Sequence, residues 1–216
     1  MLVRDQMTPA PITVPPEETV PDALNLMREK MIRRLPVVDR HGGLVGIVTD
    51  RDLLHASPSP ATSLSVYELN YLLAKLTVDK VMARRVITVS DDSPLEDAAR
   101  LMADKKIGGL PVVKDGALVG VITETDVFRA FLELLGGRRA GIRITASTSG
   151  AKGTVAKIAG AIFAAGGNIV GLGFSKLKGG AASRWEVMVK VEDLSRDRLV
   201  AAVTPTVDAI IDVRDA

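Results

Sequence analysis

The sequence contains no cysteine and only two histidines, His41 and His55. Without thiols the chain cannot form disulfides, thiolate zinc sites or cysteine nucleophiles. Two imidazoles are also fewer ligands than a typical zinc site needs. Aromatic residues make up 3% of the chain, so its core must be largely aliphatic. We found no Ser-His-Asp arrangement, no phosphate-binding glycine loop and no metal-spaced carboxylates in the sequence, and these absences disfavour an enzyme.

The chain also lacks a strong net charge and a long apolar run. Its formal charge is +2, which is too small to favour a nucleic-acid partner. No apolar stretch approaches the roughly 20 residues of a membrane-spanning helix. Residues Met1 to Asp5 contain no apolar signal region. We therefore expect a soluble cytoplasmic protein with neither a nucleic-acid nor a membrane partner.

What the sequence does contain is a long internal repeat. The matching segments are 7–14 with 82–89, 22–38 with 97–113, and 46–52 with 120–126. In both copies a short apolar run with a glycine leads into Thr-x-x-Asp, at Thr49-Asp50-Arg51-Asp52 and at Thr123-Glu124-Thr125-Asp126. A repeat this long indicates two similar folding units, related by an internal pseudo-twofold axis.

Each repeat is predicted to run strand, helix, strand, turn, strand, helix. Ser93-Pro94-Leu95-Glu96 predicts a helix start, with a serine cap, proline at the first helical position and a glutamate completing a capping box. The prolines after Leu35 and Leu110 favour extended backbone there, and the valine-rich runs that follow predict a hairpin. Between the repeats, Ser57–Pro60 is predicted to be a loop and Tyr67–Leu76 a short helix.

The last third of the chain has a different pattern. Gly136-Gly137-Arg138-Arg139 is typical of a linker. The strand that begins at Trp185 alternates apolar and polar residues, which predicts one buried face. The predicted elements are strand 141–146, helix 154–165 closed by Gly166-Gly167, strand 168–177, a turn at Lys178–Gly180, strand 185–191, helix 195–203 and strand 209–213. That βαββαβ order predicts a small ferredoxin-like sandwich.

The predicted fold class is mixed α+β and α/β, with tandem repeats followed by this sandwich. The predicted layout is repeat 1 at 1–56, an inter-repeat loop and helix at 57–77, repeat 2 at 78–135, a linker at 136–140 and the sandwich at 141–216.

The two Thr-x-x-Asp turns have the chemistry to hold a ribose-phosphate. A strand that ends in threonine and opens a helix presents unpaired backbone N–H groups to an anion. Asp52 and Asp126 can accept hydrogen bonds from the vicinal hydroxyls of a ribose, and Arg51 can neutralise a phosphate. The same pattern is close to a capping box, in which the acid serves only the backbone. The residues alone leave both interpretations open.

The Ile-Thr-Val strand, the Leu-Pro-Val-Val step and the Thr-x-x-Asp turn, each present twice, resemble a CBS-domain pair, also called a Bateman module. The resemblance covers residues 3–131. It implies two repeats packed about a pseudo-twofold axis, with clefts that bind adenosine ligands such as AMP, ADP or ATP. The nucleotide-binding residues that it implies are Thr13, Ile32, Arg33, Arg34, Thr49, Arg51, Asp52, Thr88, Ile107, Gly108, Thr123 and Asp126.

The resemblance also implies a role for each of these groups. Asp52 and Asp126 would hold ribose hydroxyls, and Thr49 and Thr123 would touch ribose or phosphate. The strand backbone at Thr13 and Thr88 would meet the adenine edge, and Ile32-Arg33 and Ile107-Gly108 would cover the base.

The two copies differ in charge. The first has Arg33, Arg34 and Arg51 where the second has Gly108, Gly109 and Thr125. We therefore expect the first cleft to prefer the more charged ligand, with Lys105 and Lys106 as additional candidates.

Residues 141–214 resemble an ACT domain, through the helix start Gly153–Ile158 and through Gly166–Ile169. The resemblance implies an amino-acid site at a dimer interface, with Gly153 and Asn168 as candidate residues. Ser149–Gly153 departs from the acidic residue or asparagine and the Pro-Gly of many members, so the alternative is that this site binds no amino acid. Because both modules pair in their families, a homodimer is implied.

A CBS pair followed by an ACT domain resembles the AcuB-type proteins named for acetoin utilisation. We therefore predict a non-enzymatic regulatory protein, with an adenine nucleotide as regulatory ligand and no required cofactor or metal. The ACT domain would serve dimerisation or small-ligand sensing, and the sequence does not identify the protein target. The alternatives are a ligand-free interaction scaffold and a regulator that senses an amino acid through the ACT domain.

Overall fold

The structure is a computed structural model that describes residues 1–56, 75–176 and 184–216. The predicted loop at Ser57–Pro60, most of the predicted helix at Tyr67–Leu76 and the predicted turn at Lys178–Gly180 lie outside the described residues. The chain divides into two compact units, Met1–Val127 and Phe128–Ala216. Each unit is described by itself below.

The first unit contains two copies of one motif. Its helices are α1 (Val3–Gln6), α2 (Val20–Glu29), α3 (Asp50–Ala56), α4 (Leu95–Lys105) and the start of α5 (Glu124–Leu134). Its strands are β1 (Thr8–Pro9), β2 (Arg34–Val38), β3 (Leu44–Thr49), β4 (Val89–Ser90), β5 (Gly109–Lys114) and β6 (Ala117–Thr123). The predicted order is confirmed in the second repeat. In the first repeat the opening strand is a single bridge between Val14 and Val37.

The two repeats exchange their opening segments. β1 of the first repeat pairs antiparallel with β6 of the second, with Thr8 opposite Val121. Reciprocally, Ala83 of the second repeat bridges Ile47 in β3 of the first. The Ile47 N–H donates to the Ala83 carbonyl at 3.0 Å, and the Ala83 N–H donates back at 2.9 Å. Each repeat therefore extends the other's sheet.

The repeated glycine before each Thr-x-x-Asp turn allows this exchange. A Cβ at Gly46 would lie 2.3 Å from Sδ of Met82, and a Cβ at Gly120 would lie 2.4 Å from Sδ of Met7. Both contacts join the strand of one repeat to the opening segment of the other. Glycine is therefore kept at these positions by close approach rather than by unusual dihedral angles.

Aliphatic side chains fill the core of the first unit, as the composition predicts. Leu35 and Leu110, which occupy equivalent positions in β2 and β5, are both fully buried. The proline after each of them keeps the backbone extended. Burying one such leucine contributes roughly 1.5–3 kcal/mol. The core thus holds the β2–β3 and β5–β6 hairpins whose far ends carry the Thr-x-x-Asp turns.

The predicted serine cap of α4 is wrong. The helix begins at Leu95 with Pro94 in the cap position, and within the described part of the chain no side chain caps it. The first residues of the chain take this place. The Leu95 N–H donates to the Met1 carbonyl at 3.1 Å, and the Val3 N–H donates to the Ser93 carbonyl at 2.9 Å. A distant segment replaces the local cap that the pattern predicted.

Each of the helices α2 and α4 is followed, within two residues, by a residue with a positive φ. The φ angle is 53° at Met31 and 56° at Lys106, which are equivalent positions. The next N–H closes the turn: Ile32 donates to the Met27 carbonyl, and Ile107 makes the matching bond in the second repeat. Glycine is the usual residue at such a position, so both repeats hold a strained side chain here.

We expect Met31→Gly to raise the free energy of unfolding by about 1 kcal/mol, because it removes a left-handed conformation that is unfavourable for a residue with a Cβ. Met31 is 91% exposed, so the substitution removes little packing. Chemical denaturation of the purified protein measures the change. Met31→Ala is the control because it keeps the Cβ. Equal stability of the glycine and alanine variants would contradict the prediction.

The second unit has the predicted βαββαβ order. Its elements after the end of α5 are β7 (Ile142–Thr148), α6 (Thr154–Ala164), β8 (Asn168–Lys176), β9 (Trp185–Glu192), α7 (Arg196–Val203) and β10 (Ala209–Asp215). The sheet order is β10-β7-β9-β8, and every neighbouring pair is antiparallel. This is the ferredoxin-like arrangement. The C-cap signal is confirmed at Gly166, whose φ is 87°.

The strand β9 is more buried than its alternating pattern predicts. Met188 and Lys190, the predicted polar-face positions, are 9% and 3% exposed. β9 lies inside the sheet, and its neighbour Gly171 faces the backbone of Leu135 so closely that a Cβ there would lie 2.3 Å from the Leu135 carbonyl. The segment after α5 thus covers part of the sheet face that the alternating pattern predicted to be exposed to solvent.

Among residues 1–56, 75–176 and 184–216, no helix combines the length and the apolar character that a membrane span requires.

Candidate functional site

The first unit contains two clefts, and each is built from both repeats. The first cleft has a volume of about 600 Å³ and lies between the turn Thr49–Asp52, residues 83–87 and residues 106–109. The second cleft has a volume of about 320 Å³ and lies between residues 8–12, residues 31–34 and the turn at Thr123. Both volumes suit small-molecule sites.

The strand exchange explains this shared construction. Because Ala83 bridges Ile47, the turn of the first repeat faces the opening segment of the second. Because β1 pairs with β6, the turn of the second repeat faces the opening segment of the first. A ligand in either cleft would therefore contact both repeats.

Both Thr-x-x-Asp turns form reciprocal helix caps. In the first, Thr49 donates to Oδ2 of Asp52 from its N–H at 2.9 Å and from its hydroxyl at 2.7 Å, and the Asp52 N–H donates back to the hydroxyl at 3.3 Å. The equivalent distances between Thr123 and Asp126 are 2.9, 2.7 and 3.4 Å. The capping interpretation is thus realised in both copies.

Capping leaves room for a ligand at Asp52. The cap uses Oδ2, and no other described residue donates a hydrogen bond to Oδ1 of Asp52, which lines the first cleft. Asp126 is 8% exposed and lines neither cleft. The two carboxylates are therefore equal as caps and unequal in access.

The family model of the CBS domain matches residues 3–59 and 78–133, which are the two repeats. The chain belongs to the CBS domain family. A CBS domain-containing protein of Dictyostelium discoideum is 36% identical over 136 residues, which cover 62% of this chain and 94% of that protein. L-aspartate semialdehyde sulfurtransferase of Methanocaldococcus jannaschii is 34% identical over 131 residues, but this chain spans only 23% of its length.

Solved structures agree with this membership. The CBS domain pair of protein MJ0100, in complex with 5′-methylthioadenosine and S-adenosyl-L-methionine, is 33% identical with a TM-score of 0.52, and the match covers 64% of this chain and 98% of that one. CBSX2 of Arabidopsis thaliana, in complex with AMP, is 41% identical with a TM-score of 0.50 and coverages of 61% and 96%. A structure assigned as the acetoin utilization protein AcuB of Vibrio cholerae is 36% identical with a TM-score of 0.53 and coverages of 64% and 95%.

The CBS pair brings most of the predicted site residues to its clefts. Those that line the first cleft are Arg33, Arg34, Thr49, Arg51, Asp52, Ile107 and Gly108. Those that line the second are Ile32, Arg33, Arg34 and Thr123. Thr13 instead borders a separate open depression of about 520 Å³ beside the β2–β3 turn. Thr88, like Asp126, lines neither cleft.

The residues just before Thr13 and Thr88 line the clefts, where the threonines were expected. Ile12 lines the second cleft and Ile87 the first. Both are large apolar side chains that remain 39% and 37% exposed. Sequence reasoning missed them, although both repeats carry isoleucine at this position. Exposed isoleucines at equivalent cleft positions offer an apolar surface to a flat ligand group.

The two clefts of the CBS pair differ in the charged side chains that line them. Cations on the first cleft are Arg33, Arg34, Arg51, Arg85 and Lys106, and its acids are Asp50, Asp52 and Glu124. The second cleft has Arg33 and Arg34 together with the hydroxyl side chains of Thr8, Thr123 and Thr125. The first cleft is thus the larger and has more cations, five against two, although its three acids leave both clefts with a net formal charge of +2. Lys105, an additional candidate from the sequence, does not line it.

Arg34 is the most enclosed of these cations. A Cβ at Gly109 would lie 2.1 Å from Nη1 of Arg34, and one at Gly108 would lie 3.0 Å from Nη2. Burial lowers the pKa of the Arg34 guanidinium and Arg33 lowers it further, while Glu124 acts in the opposite direction. The group remains charged at neutral pH, because an arginine in a protein does not deprotonate there.

Within the described residues, no three histidine or acidic side chains cluster in a way that could hold a metal ion.

Proposed function

We propose that this protein is a non-catalytic regulator whose CBS pair binds adenosine-containing ligands, with an adenine nucleotide as the regulatory ligand. The observation that carries the proposal is the first cleft. There a ribose-accepting carboxylate, exposed apolar side chains and several cations converge around a space of about 600 Å³. The complexes of CBSX2 with AMP and of the MJ0100 pair with two adenosine compounds support the ligand class.

The residues of the first cleft suggest how such a ligand would lie. Oδ1 of Asp52 would accept from the ribose hydroxyls, in the way that acidic residues do in dinucleotide folds. Ile87 and Ile107 would contact the base. Arg51 and Arg85 would reach the phosphates, for which a guanidinium offers paired donors. The smaller second cleft would take a ligand with less charge.

Ligand binding tests the proposal directly. We expect AMP at 100 times its dissociation constant to stabilise the protein by about 2.7 kcal/mol, because it binds only the folded state. Thermal unfolding with AMP, ADP and ATP measures this shift, and GMP serves as the control for base recognition. Assays for ATP hydrolysis should show no turnover. If none of these nucleotides stabilises the protein, the CBS pair is a ligand-free scaffold, and if ATP is turned over, the protein is an enzyme.

For the second unit we propose an ACT-like role in dimerisation. Gly153 precedes α6 and Asn168 follows it, so a helix of 11 residues, about 16 Å long, separates the two candidate residues. A single chain therefore cannot join them in one small site, whereas two chains could. Sedimentation of the purified protein distinguishes monomer from dimer. A regulator that senses an amino acid through this unit remains the second candidate, and AMP and amino-acid titrations separate the two.

The likeness to the Vibrio cholerae AcuB structure supports a role in acetoin utilisation. Acetoin utilisation is accordingly the first process in which we propose to test the protein.

A further inference from the structure

Arg34 borders both clefts of the CBS pair. It is the first residue of β2, and its side chain lies between the turn of the first repeat and the opening of β5 in the second. Arg33 also borders both clefts, but its side chain is exposed whereas Arg34 is half buried. A charged group placed between two binding sites acts on both.

The pseudo-twofold axis accounts for this placement. Arg34 and Gly109 are equivalent residues of the two repeats, so the axis brings them together. The guanidinium fills the space that the missing side chain of Gly109 leaves, since a Cβ there would meet Nη1 at 2.1 Å and Cζ at 2.7 Å. Because Arg34 has a long side chain and its equivalent Gly109 has none, one cation can lie beside both clefts.

In the described part of the chain, the carboxylates around the Arg34 guanidinium, such as Glu124 and Asp50, act on it only at longer range. Among residues 1–56, 75–176 and 184–216, no atom accepts a hydrogen bond from it and no carboxylate lies within ion-pair distance. A half-buried guanidinium carries five donors, and leaving them unpaired is costly. An anionic ligand at either cleft would satisfy them, through a paired contact that guanidinium makes with phosphate.

The two clefts depend on Arg34 to different degrees. The first cleft has Arg51, Arg85 and Lys106 as further cations. The second has only the exposed Arg33 besides Arg34 among the residues that line it. When a phosphate in the first cleft holds the guanidinium, the second cleft loses its better-placed cation.

We propose that Arg34 couples the two clefts, so that an anionic nucleotide in the first weakens the binding of a second anionic nucleotide and leaves the second cleft to adenosine compounds without phosphate charge. The inference rests on the proposed function, because it presumes that adenosine ligands enter the clefts. Such coupling requires that the ligand of one cleft changes the free energy of binding at the other.

Calorimetric titration of full-length variants with AMP tests the coupling. Asp52→Ala weakens the first cleft, so the tighter AMP binding step that remains reports the second cleft while the first one is largely empty. We expect this affinity to be about tenfold higher than that of the second binding step of the unchanged protein, in which the first cleft is filled. With Arg34→Ala in both backgrounds the two affinities should agree. Adenosine, which carries no phosphate, should show no difference in any background.

Two further variants keep the test decisive. Arg34→Gln retains most of the side-chain length without the charge and replaces the alanine variant if that one fails to fold. Arg33→Ala should lower AMP affinity at both clefts, which Arg33 lines, but leave the coupling between them, because the side-chain atoms nearest to Gly109 belong to Arg34. Absence of AMP binding to the unchanged protein would reject the proposed function itself. Two results would overturn only the role of Arg34. The first is that the second binding step of the unchanged protein is as tight as, or tighter than, AMP binding to the second cleft of Asp52→Ala. The second is that Arg33→Ala abolishes the coupling.

Discussion

Replacing Asp52 by alanine is expected to weaken AMP binding at the first cleft by about 10-fold to 100-fold. Asp52 lines that cleft, and its carboxylate oxygen Oδ1 has no hydrogen-bond donor among the described residues. It can therefore accept from a ribose, and a hydrogen bond to a charged group contributes about 1.5–3 kcal/mol. The same substitution removes the cap of α3, which should cost about 1 kcal/mol of folding free energy.

Asp126→Ala is the matched control for this prediction. It removes a cap with the same two distances, 2.9 and 2.7 Å, to the N–H and the hydroxyl of Thr123. Its loss of stability should therefore include the same cap contribution, while AMP affinity at the first cleft should change little. Calorimetry and chemical denaturation of both variants separate the two contributions. Equal losses of first-cleft affinity would show that Asp52 acts only through the helix cap.

Replacing Gly171 by alanine is expected to destabilise the second unit by about 3 kcal/mol. The added Cβ would lie 2.3 Å from both the carbon and the oxygen of the Leu135 carbonyl, and 2.8 Å from the Gly136 nitrogen. These are backbone atoms, so no side-chain rotation relieves the clash, and an overpacked site costs roughly 1–3 kcal/mol or more. The segment at Leu135 would have to move away from β8.

The single tryptophan makes this effect measurable. Trp185 lies in β9 and stacks on Phe174 in β8, with ring centroids 4.8 Å apart, so its fluorescence reports on the sheet that contains Gly171. Gly160→Ala in α6 is the control, because a Cβ there meets nothing within 4 Å. That variant should be more stable by about 1 kcal/mol. If both alanine variants unfold at the same denaturant concentration, the contact at Leu135 is not tight.

Local signals predicted the elements of both units well. The proline after Leu35 and Leu110 and the valine runs beyond them predicted two hairpins, and the structure confirms both. The glycine pair after α6 predicted where that helix ends. These features depend on the backbone preferences of a few neighbouring residues, which is information that a sequence carries.

Contacts between distant segments were not predictable in the same way. The cap of α4 comes from Met1 and not from Ser93, because the helix start can be satisfied by any carbonyl that the fold brings near. The difference between Arg34 and Gly109 was visible in the sequence as unequal charge. That the two residues meet at the axis became visible only when the repeats were paired, since the register between repeats is a tertiary property.

The exchange of opening segments has a consequence for how such proteins can arise and diverge. A single repeat copied or moved elsewhere in a genome would carry the turn of one cleft and the opening segment of the other, and so no complete binding site. A complete ligand-binding cleft in this chain therefore requires both repeats. Because each cleft draws on both repeats, a substitution in either repeat can specialise a given cleft.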